Sequence, residues 1–256
     1  KGRCTVHDRV RGAHGVVRAV AVRTTVAAMG EMIEFPSNGS TAGGYLAVPG
    51  SGSGPGVIVI QEWWGLVDHI KDVCERFAAA GFVALAPDLY HGQTVPPGEP
   101  DEAGKVMMAM KLDQAGRDMS GAVDELVRRS AGERIGVIGF CMGGGLALVL
   151  ATQRPDAVAA VVPCYGVIPW PDAQPDYSAM TAAVLGHYAE NDSFFTPAAA
   201  NALGERLRAL GKSAEIIIYP GTEHAFFNDS RPEVHDPDAS RLLWDRTLAF
   251  FSEQLR

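Results

Sequence analysis

A glycine-rich turn at residues 139–144 joins two apolar runs, and few folds accommodate that arrangement. The first run, 135–140, has the length and β-branching of a strand that is buried on both faces. The second run is rich in Ala and Leu, which is typical of a helix. Cys141 stands between them, with one glycine two residues before it and another two residues after it. This is the pattern of a nucleophile elbow, G-x-S-x-G, with cysteine in place of serine.

The physics of such an elbow accounts for its composition. The nucleophile occupies a strained strand-to-helix turn, where only small neighbours let the backbones approach each other. The helix that follows offers free N–H groups and a positive dipole end, which lower a thiol pKa and stabilise an oxyanion. Two plainer interpretations stay open: a buried structural thiol, or a phosphate-binding turn. The phosphate reading is the weaker, because the turn lacks both the G-x-G-x-x-G spacing and the lysine of a P-loop.

Short apolar strands alternate with helical segments along most of the chain. The predicted strands are 31–36 and 44–49 as an opening hairpin, then 57–60, 82–86, 135–140, 158–164, 182–188 and 216–219. Apolar residues at helical spacing mark the segments between them, and a last helix closes the chain at 244–255. This alternation predicts an α/β fold, with a mostly parallel central sheet, helices on both faces and an N-terminal antiparallel hairpin.

Length and charge limit the classes of protein to consider. A chain of 256 residues is a natural length for one α/β domain. The net charge of −8 argues against a nucleic-acid partner. No run of about 18 apolar residues occurs, so we expect no membrane span. Nothing in the sequence sets the oligomeric state, and a monomer is slightly favoured.

The charge is concentrated unevenly at the start of the chain. Residues 1–28 hold six basic side chains and a single acid, Asp8. They lack a clear hydrophobic period and the compact apolar core of a secretory signal. We expect a non-catalytic basic extension, with a targeting segment or a flexible arm as alternatives. The catalytic domain is then 29–256, starting near Met29 or Met32.

The four cysteines indicate a reducing compartment. Cys4, Cys74, Cys141 and Cys164 are scattered without metal-ligand spacing. A chain of this size does not need a disulfide framework, so we expect free thiols, a cytoplasmic location and no metal or other cofactor.

Four chemically capable side chains follow predicted strands. Glu62 comes after 57–60, Cys141 after 135–140, Asp192 after 182–188, and His224 after 216–219. Ligands of parallel sheets bind at the carboxyl ends of the strands. The chain order nucleophile, acid, histidine is also the order of the α/β-hydrolase triad. We therefore predict one active site built from these four residues.

Each member has a physical reason to be there. A free thiol is only about 3% thiolate at pH 7, so Cys141 needs a base, and His224 can supply it. Asp192 would fix the tautomer of His224 and stabilise its charged form, with Glu190 as the rival for that role. The oxyanion of a tetrahedral intermediate needs two N–H donors, for which the backbones of Trp63 and Met142 are best placed.

The remaining expectations concern the pocket wall and Glu62. We expect five side chains near strand ends to line the pocket: Tyr90, His91, Tyr165, Trp170 and Phe226. Glu62 is either an ordinary solvated acid or, beside a thiol, the group that holds the proton of Cys141 before substrate arrives.

These motifs together resemble the dienelactone hydrolase family. The matching stretches are Gln61-Glu62-Trp63-Trp64-Gly65, Ala86-Pro87-Asp88-Leu89-Tyr90, Gly139-Phe140-Cys141-Met142-Gly143-Gly144, Asn191-Asp192 and His224-Ala225-Phe226. The resemblance spans about 31–255. It implies a cofactor-independent Cys-His-Asp hydrolase of lactones or enol esters, in which the residue matching Glu62 pairs with the resting thiol and is displaced by substrate.

One departure from the family pattern affects specificity. The resemblance implies carboxylate-binding arginines at two places, which here hold Gly92 and Asn228. Arg231 or His91 are the candidates to compensate. The resemblance therefore implies the chemistry more strongly than the substrate. The alternatives are a general carboxylesterase or thioesterase, or a non-catalytic ligand-binding protein on the same scaffold.

Overall fold

The computed structural model describes residues 30–256. The predicted basic extension, residues 1–28, therefore lies outside the described part of the chain, as do Met29 and Cys4.

An eight-stranded sheet forms the centre of the domain. The strands are β1 (Glu31–Ser37), β2 (Ser40–Ala47), β3 (Gly56–Ile60), β4 (Val83–Pro87), β5 (Ile135–Phe140), β6 (Val158–Cys164), β7 (Ala183–Ala189) and β8 (Ala214–Tyr219). Their order across the sheet is β1-β2-β4-β3-β5-β6-β7-β8. β2 pairs antiparallel with β1 and β4, whereas the pairs from β4 to β8 are parallel. The predicted fold class, a mostly parallel sheet with an opening hairpin, is confirmed.

Within residues 30–256, six α-helices accompany the sheet. They are α1 (Asp68–Ala79), α2 (Pro100–Ala109), α3 (Leu112–Arg129), α4 (Met142–Gln153), α5 (Pro197–Ala209) and α6 (Pro237–Gln254). Apolar side chains of α3 and α4 pack in one core layer, and those of α1 and α6 pack in the other. Strands buried on both sides explain why their sequences are continuously apolar rather than alternating. Across residues 30–256, no helix combines the length and hydropathy that crossing a bilayer requires.

Most strand boundaries agree with prediction to within two residues, and three differences are larger. α6 begins at Pro237, seven residues before the predicted start, where the Asp236 side chain caps the helix by accepting from Ala239 N–H. β2 begins at Ser40, four residues before the predicted start, because Asn38 (φ 43°) and Gly39 (φ 98°) form a two-residue turn with left-handed backbone. The long helical region before β5 is broken between α2 and α3, where Met110 is extended (φ −60°, ψ 132°). None of these changes moves the edge of the sheet at which the parallel strands have their carboxyl ends.

Candidate active site

The turn after β5 has the backbone of a nucleophile elbow. Cys141 takes φ 55° and ψ −122°, an unfavourable conformation for a residue with a side chain. Hydrogen bonds hold it there: its N–H donates to the carbonyl of Cys164 (3.1 Å), and its own carbonyl accepts from Val167 N–H (3.1 Å). α4 starts at the next residue. The thiol is thus fixed at the N-terminus of a helix, at the carboxyl edge of the sheet.

The glycines around the elbow permit close backbone contacts. A Cβ on Gly139 would lie 2.0 Å from the carbonyl oxygen of Gly143. A Cβ on Gly143 would lie 2.4 Å from the carbonyl oxygen of Gln61, in the loop after β3. The loop that carries Glu62 and the helix that follows Cys141 therefore meet backbone to backbone.

His224 and Asp192 form the second part of the site. The ring Nδ1 of His224 donates to Asp192 Oδ2 at 2.7 Å. The other carboxylate oxygen of Asp192 accepts from the N–H groups of Phe194 (2.8 Å) and Phe195 (3.0 Å). Glu190 instead accepts from Gly221 N–H at 2.8 Å, so the geometry pairs Asp192 rather than Glu190 with the histidine.

The surroundings of His224 favour its charged form. Burial lowers the pKa of the ring, but the hydrogen bond to Asp192 and the neighbouring Cys141 outweigh that effect and raise the pKa to about 10. Aromatic rings enclose it, with ring centroids of Tyr165 at 5.1 Å and Phe194 at 4.9 Å. An imidazolium held between an aspartate and a thiol is poised to stabilise a thiolate and later to release its proton.

Two backbone N–H groups near Cys141 have no acceptor among the residues that the structure describes. Met142 is the first residue of α4, so its N–H has no acceptor within the helix. Trp63 N–H, in the loop after β3, also has no hydrogen-bond acceptor within residues 30–256. Trp63 and Cys141 line the same cavity. The structure thus leaves the two predicted donors available at this edge.

Glu62 is buried, with 1% of its surface exposed, and not solvated as an acid at a strand end usually is. Asn228 donates from Nδ2 to its Oε2 at 2.7 Å, while its Oε1 has no partner among the described residues. Asn228 is one of the two residues found where the resemblance implied an arginine. A neutral amide therefore holds this carboxylate, and one oxygen is left for another donor.

A cavity of about 890 Å³ opens over Cys141 and His224. This is at the upper end of the usual range for small-molecule sites. Its wall is mainly apolar and comes from the loop after β3, from α4, from the 165–181 loop and from α5. These four parts contribute Trp63, Trp64, Leu148, Val167, Ile168 and Leu203, and the turn before α5 adds Phe194. The carboxylate of Glu62 and the guanidinium of Arg231 reach the same space.

The five side chains predicted to form the pocket wall lie elsewhere. Tyr165 and Phe226 are fully buried, and their rings meet edge to face with centroids 5.7 Å apart. The Tyr165 ring also contacts the His224 ring at 5.1 Å. Trp170 is buried in the core layer with α3 and α4. Tyr90 and His91 line a separate cleft beside α2 and α3. Proximity to a strand end located these residues on the correct edge, but it did not fix whether each side chain points into the core or into the cavity.

The two candidates to replace the absent arginines are separated by the fold. Arg231 lines the cavity, with its guanidinium 5.9 Å from the Trp64 ring and its Nε donating to Glu233 at 2.8 Å. His91 lies 3.2 Å from Asp118 in the other cleft. Of the two, only Arg231 faces the catalytic residues.

Sequence reasoning missed three residues of the site. Phe194, 64% exposed at the cavity mouth, gave no periodic signal because it sits in the turn before α5. Asn228 was noted for what it replaced and not for its contact with Glu62. Arg206 lines the cavity from α5, where the spacing of Ala199, Leu203 and Arg206 on one helix face was available as a signal.

A parallel sheet with a strained elbow after β5, and an acid and a histidine after β7 and β8, defines an α/β-hydrolase. The sequence model of the dienelactone hydrolase family matches residues 42–255. The chain belongs to that family, whose members act as hydrolases of esters and lactones.

Individual relatives agree with this assignment. Protein usf of Aquifex pyrophilus is 39% identical over 236 residues, covering 89% of this chain and all of the relative. A protein of Aquifex aeolicus, provisionally named a carboxymethylenebutenolidase, is 34% identical with the same coverage. A crystal structure from Klebsiella pneumoniae, described as a provisional dienelactone hydrolase, superposes with a TM-score of 0.78 at 29% identity, covering 87% of this chain and 98% of the other.

Proposed function

We propose that this protein hydrolyses small lactones or enol esters by a Cys141-His224-Asp192 triad through an acyl-cysteine intermediate. The observation that carries the proposal is the 2.7 Å Asp192–His224 hydrogen bond beside a cysteine elbow, with Cys141 and His224 lining the same cavity. The complete constellation also favours an enzyme over a non-catalytic binder on the same scaffold.

Acylation begins with the thiolate of Cys141, whose charge His224 balances. The sulfur attacks the carbonyl carbon, and the N–H groups of Trp63 and Met142 donate to the oxyanion that forms. The carbon–oxygen bond of the ester then breaks, and the proton on His224 moves to the leaving oxygen. Asp192 holds the ring in the tautomer and orientation that this transfer needs.

Deacylation reverses the roles around a water molecule. His224, now neutral, takes a proton from water, and the resulting hydroxide attacks the thioester carbonyl. The carbon–sulfur bond breaks, which releases the carboxylic acid and returns the thiolate beside a charged His224. Glu62 modulates the resting thiol of Cys141, as the family resemblance implies, and Asn228 holds the Glu62 side chain in place.

Three free buried thiols among the described residues suit a reducing compartment, so we propose a cytoplasmic location.

A general carboxylesterase or thioesterase is the second candidate. The observation that favours it is the large, mainly apolar cavity, combined with a neutral Asn228 where the resemblance implied an arginine. Both candidate functions use the same catalytic chemistry and differ in which substrates the cavity admits.

The test is steady-state hydrolysis of p-nitrophenyl acetate and of cis- or trans-dienelactone by the wild type, Cys141→Ala and the control Cys74→Ala. Cys74 is buried on α1, away from the cavity. We expect turnover to be lost only with Cys141→Ala, and an acylated Cys141 to be detected by mass spectrometry. Ester turnover without dienelactone turnover selects the second candidate. Turnover that survives Cys141→Ala refutes the proposed nucleophile.

A further inference from the structure

One side of the cavity is a groove that runs along α5. The helix contributes Ala199, Ala202, Leu203 and Arg206, which recur three or four residues apart and so share one face. The distance from Ala199 to Arg206 along the helix axis is about 10 Å. Val167, Ile168, Gln174 and Tyr177 of the 165–181 loop also line the cavity. The cavity therefore extends well beyond what the reacting carbonyl needs.

The groove starts at the catalytic histidine. The Phe194 ring lies 4.9 Å from the His224 ring, and Phe195 and Ala199 continue the lining toward α5. Because the histidine must hand its proton to the leaving oxygen, the alcohol part of an ester lies on the histidine side of the carbonyl. The groove along α5 is thus positioned to receive the alcohol moiety rather than the acyl moiety.

The groove is mainly apolar and carries a positive charge at its far end. Arg206 lies over the Tyr177 ring, with its guanidinium carbon 4.9 Å from the ring centroid. Among the side chains that the structure describes, none forms a hydrogen bond or an ion pair with the Arg206 guanidinium. The nearby Asp176 accepts from Ser178 N–H at 2.9 Å, and hydrogen bonds from Ser178 together with the charge of Arg206 lower the pKa of Asp176. The ring orients the guanidinium, which lines the cavity and can donate to an anion there.

We propose that this groove selects esters whose alcohol moiety is an extended apolar chain ending in a carboxylate, with Arg206 as the specificity-determining residue. The inference rests on the proposed function, because it assumes that Cys141 and His224 carry out ester cleavage. Apolar atoms of the chain would replace water along the α5 face, and Arg206 would bind the terminal anion.

The experiment compares 8-acetoxyoctanoic acid with octyl acetate. Both give the same acetyl-enzyme, so a difference in kcat/KM reports only how the alcohol moiety is bound. We expect wild type to prefer the carboxylate by about three- to tenfold at low ionic strength. The ratio should fall toward one in Arg206→Gln, be partly kept in Arg206→Lys, and shrink with added salt.

Arg241→Gln is the matched control. Arg241 is an exposed arginine on α6 that pairs with Asp238 and does not line the cavity, so its loss changes the net charge equally but should keep the wild-type ratio. The concentration of reactive Cys141 is determined by thiol labelling in each variant, and kcat/KM is calculated from that concentration so that misfolded protein is not counted.

Three outcomes separate this inference from the proposed function. Equal rates for the two esters in wild type, or an equal loss on both esters in Arg206→Gln, would overturn the Arg206 proposal while Cys141-dependent hydrolysis of p-nitrophenyl acetate stands. If Arg241→Gln lowered the ratio of the two kcat/KM values as much as Arg206→Gln does, the preference would come from net charge, and the Arg206 proposal would be overturned as well. Ester hydrolysis that does not depend on Cys141 would refute the proposed function first.

Discussion

Glu62 and Asn228 show how one residue can set the environment of a catalytic site. A carboxylate with 1% exposure needs donors, and Asn228 supplies a single hydrogen bond of 2.7 Å to it. Asn228 is itself fixed, since its Oδ1 accepts from both the N–H and the hydroxyl of Ser230. The position of Glu62 thus depends on a loop 166 residues away in sequence.

Replacing Asn228 by alanine should leave Glu62 buried without a partner. We expect Asn228→Ala to lower the free energy of unfolding by about 1–3 kcal/mol, as for an unsatisfied buried polar group. Urea denaturation measures the change, with the exposed Asn201→Ala on α5 as control. Equal effects in the two variants would mean that the Glu62 contact contributes nothing to stability.

The raised pKa of His224 predicts how activity depends on pH. Asp192 and Cys141 keep the ring charged well above its ordinary pKa, so it remains a proton donor until the pH approaches about 10. We expect kcat/KM for ethyl acetate, whose ethoxide leaving group needs that proton, to fall as the pH rises through about 10. Hydrolysis of p-nitrophenyl acetate should not fall there, because its leaving group departs without a proton.

Circular dichroism at each pH verifies that the fold persists. A loss of ethyl acetate turnover already complete near pH 7 would contradict the role of Asp192 and Cys141 in holding the proton.

At the scale of elements, the contact between α4 and the loop after β6 determines whether the elbow can form. A Cβ on Gly145 would lie 2.0 Å from the carbonyl oxygen of Val167. Val167 N–H is also the donor to the Cys141 carbonyl. Helix, loop and nucleophile are therefore packed as one unit.

The substitution Gly145→Ala should force α4 and this loop apart. We expect the free energy of unfolding to fall by about 1–3 kcal/mol through overpacking, together with a loss of turnover. Gly104→Ala on α2 is the control: no atom lies within 4 Å of its added Cβ, and it should stabilise the helix by about 0.5–1 kcal/mol. Thermal unfolding of both variants measures these changes in stability. A Gly145→Ala variant as stable and active as the wild type would show that the loop after β6 can move away from α4 at little cost.

Much of the element order was predictable from local patterns, because strands buried on both faces read as short apolar runs and helices keep a 3.6-residue period. The elbow was predictable for the same reason: its glycines and Cys141 are adjacent in sequence. The early start of β2 was missed since Ser40 to Gly43 resemble a loop, and only pairing with β1 makes them a strand. The break at Met110 leaves no glycine or proline as a signal.

At the scale of the whole molecule, the fold sorts the cysteines by environment. Burial, followed by the charge of Glu75, raises the pKa of the Cys74 thiol, and burial with the charge of Glu62 raises that of Cys164. Cys141 lines the open cavity. One thiol of the described three is thus accessible to reagents.

Alkylation with iodoacetamide under native conditions should therefore modify Cys141 first. We expect a single rapid modification in a Cys4→Ser background, with loss of turnover in step, because reactivity follows access and thiolate character. Peptide mapping by mass spectrometry identifies the site. Early labelling of Cys74 or Cys164 would contradict the predicted order, and Cys141→Ala should abolish the rapid phase.

The proposed catalytic centre was more predictable from the sequence than the cavity around it. Glu62, Cys141, Asp192 and His224 follow strands, and parallel strands bring their carboxyl ends to one edge whatever the loops do. The wall depends on how the 165–181 loop turns and on which way each ring points. Long-range packing decides both, so Tyr165 and Phe226 entered the core while Phe194 reached the opening.

The paired indoles of Trp63 and Trp64, with ring centroids 5.1 Å apart, give the enzyme an optical consequence. Both line the cavity that holds Cys141, so a ligand that displaces water from them alters the polarity that their excited states experience. Ultraviolet emission of the unlabelled protein should then report occupancy within milliseconds of mixing. The binding of substrates that carry no chromophore can then be followed by stopped-flow measurement of intrinsic tryptophan fluorescence.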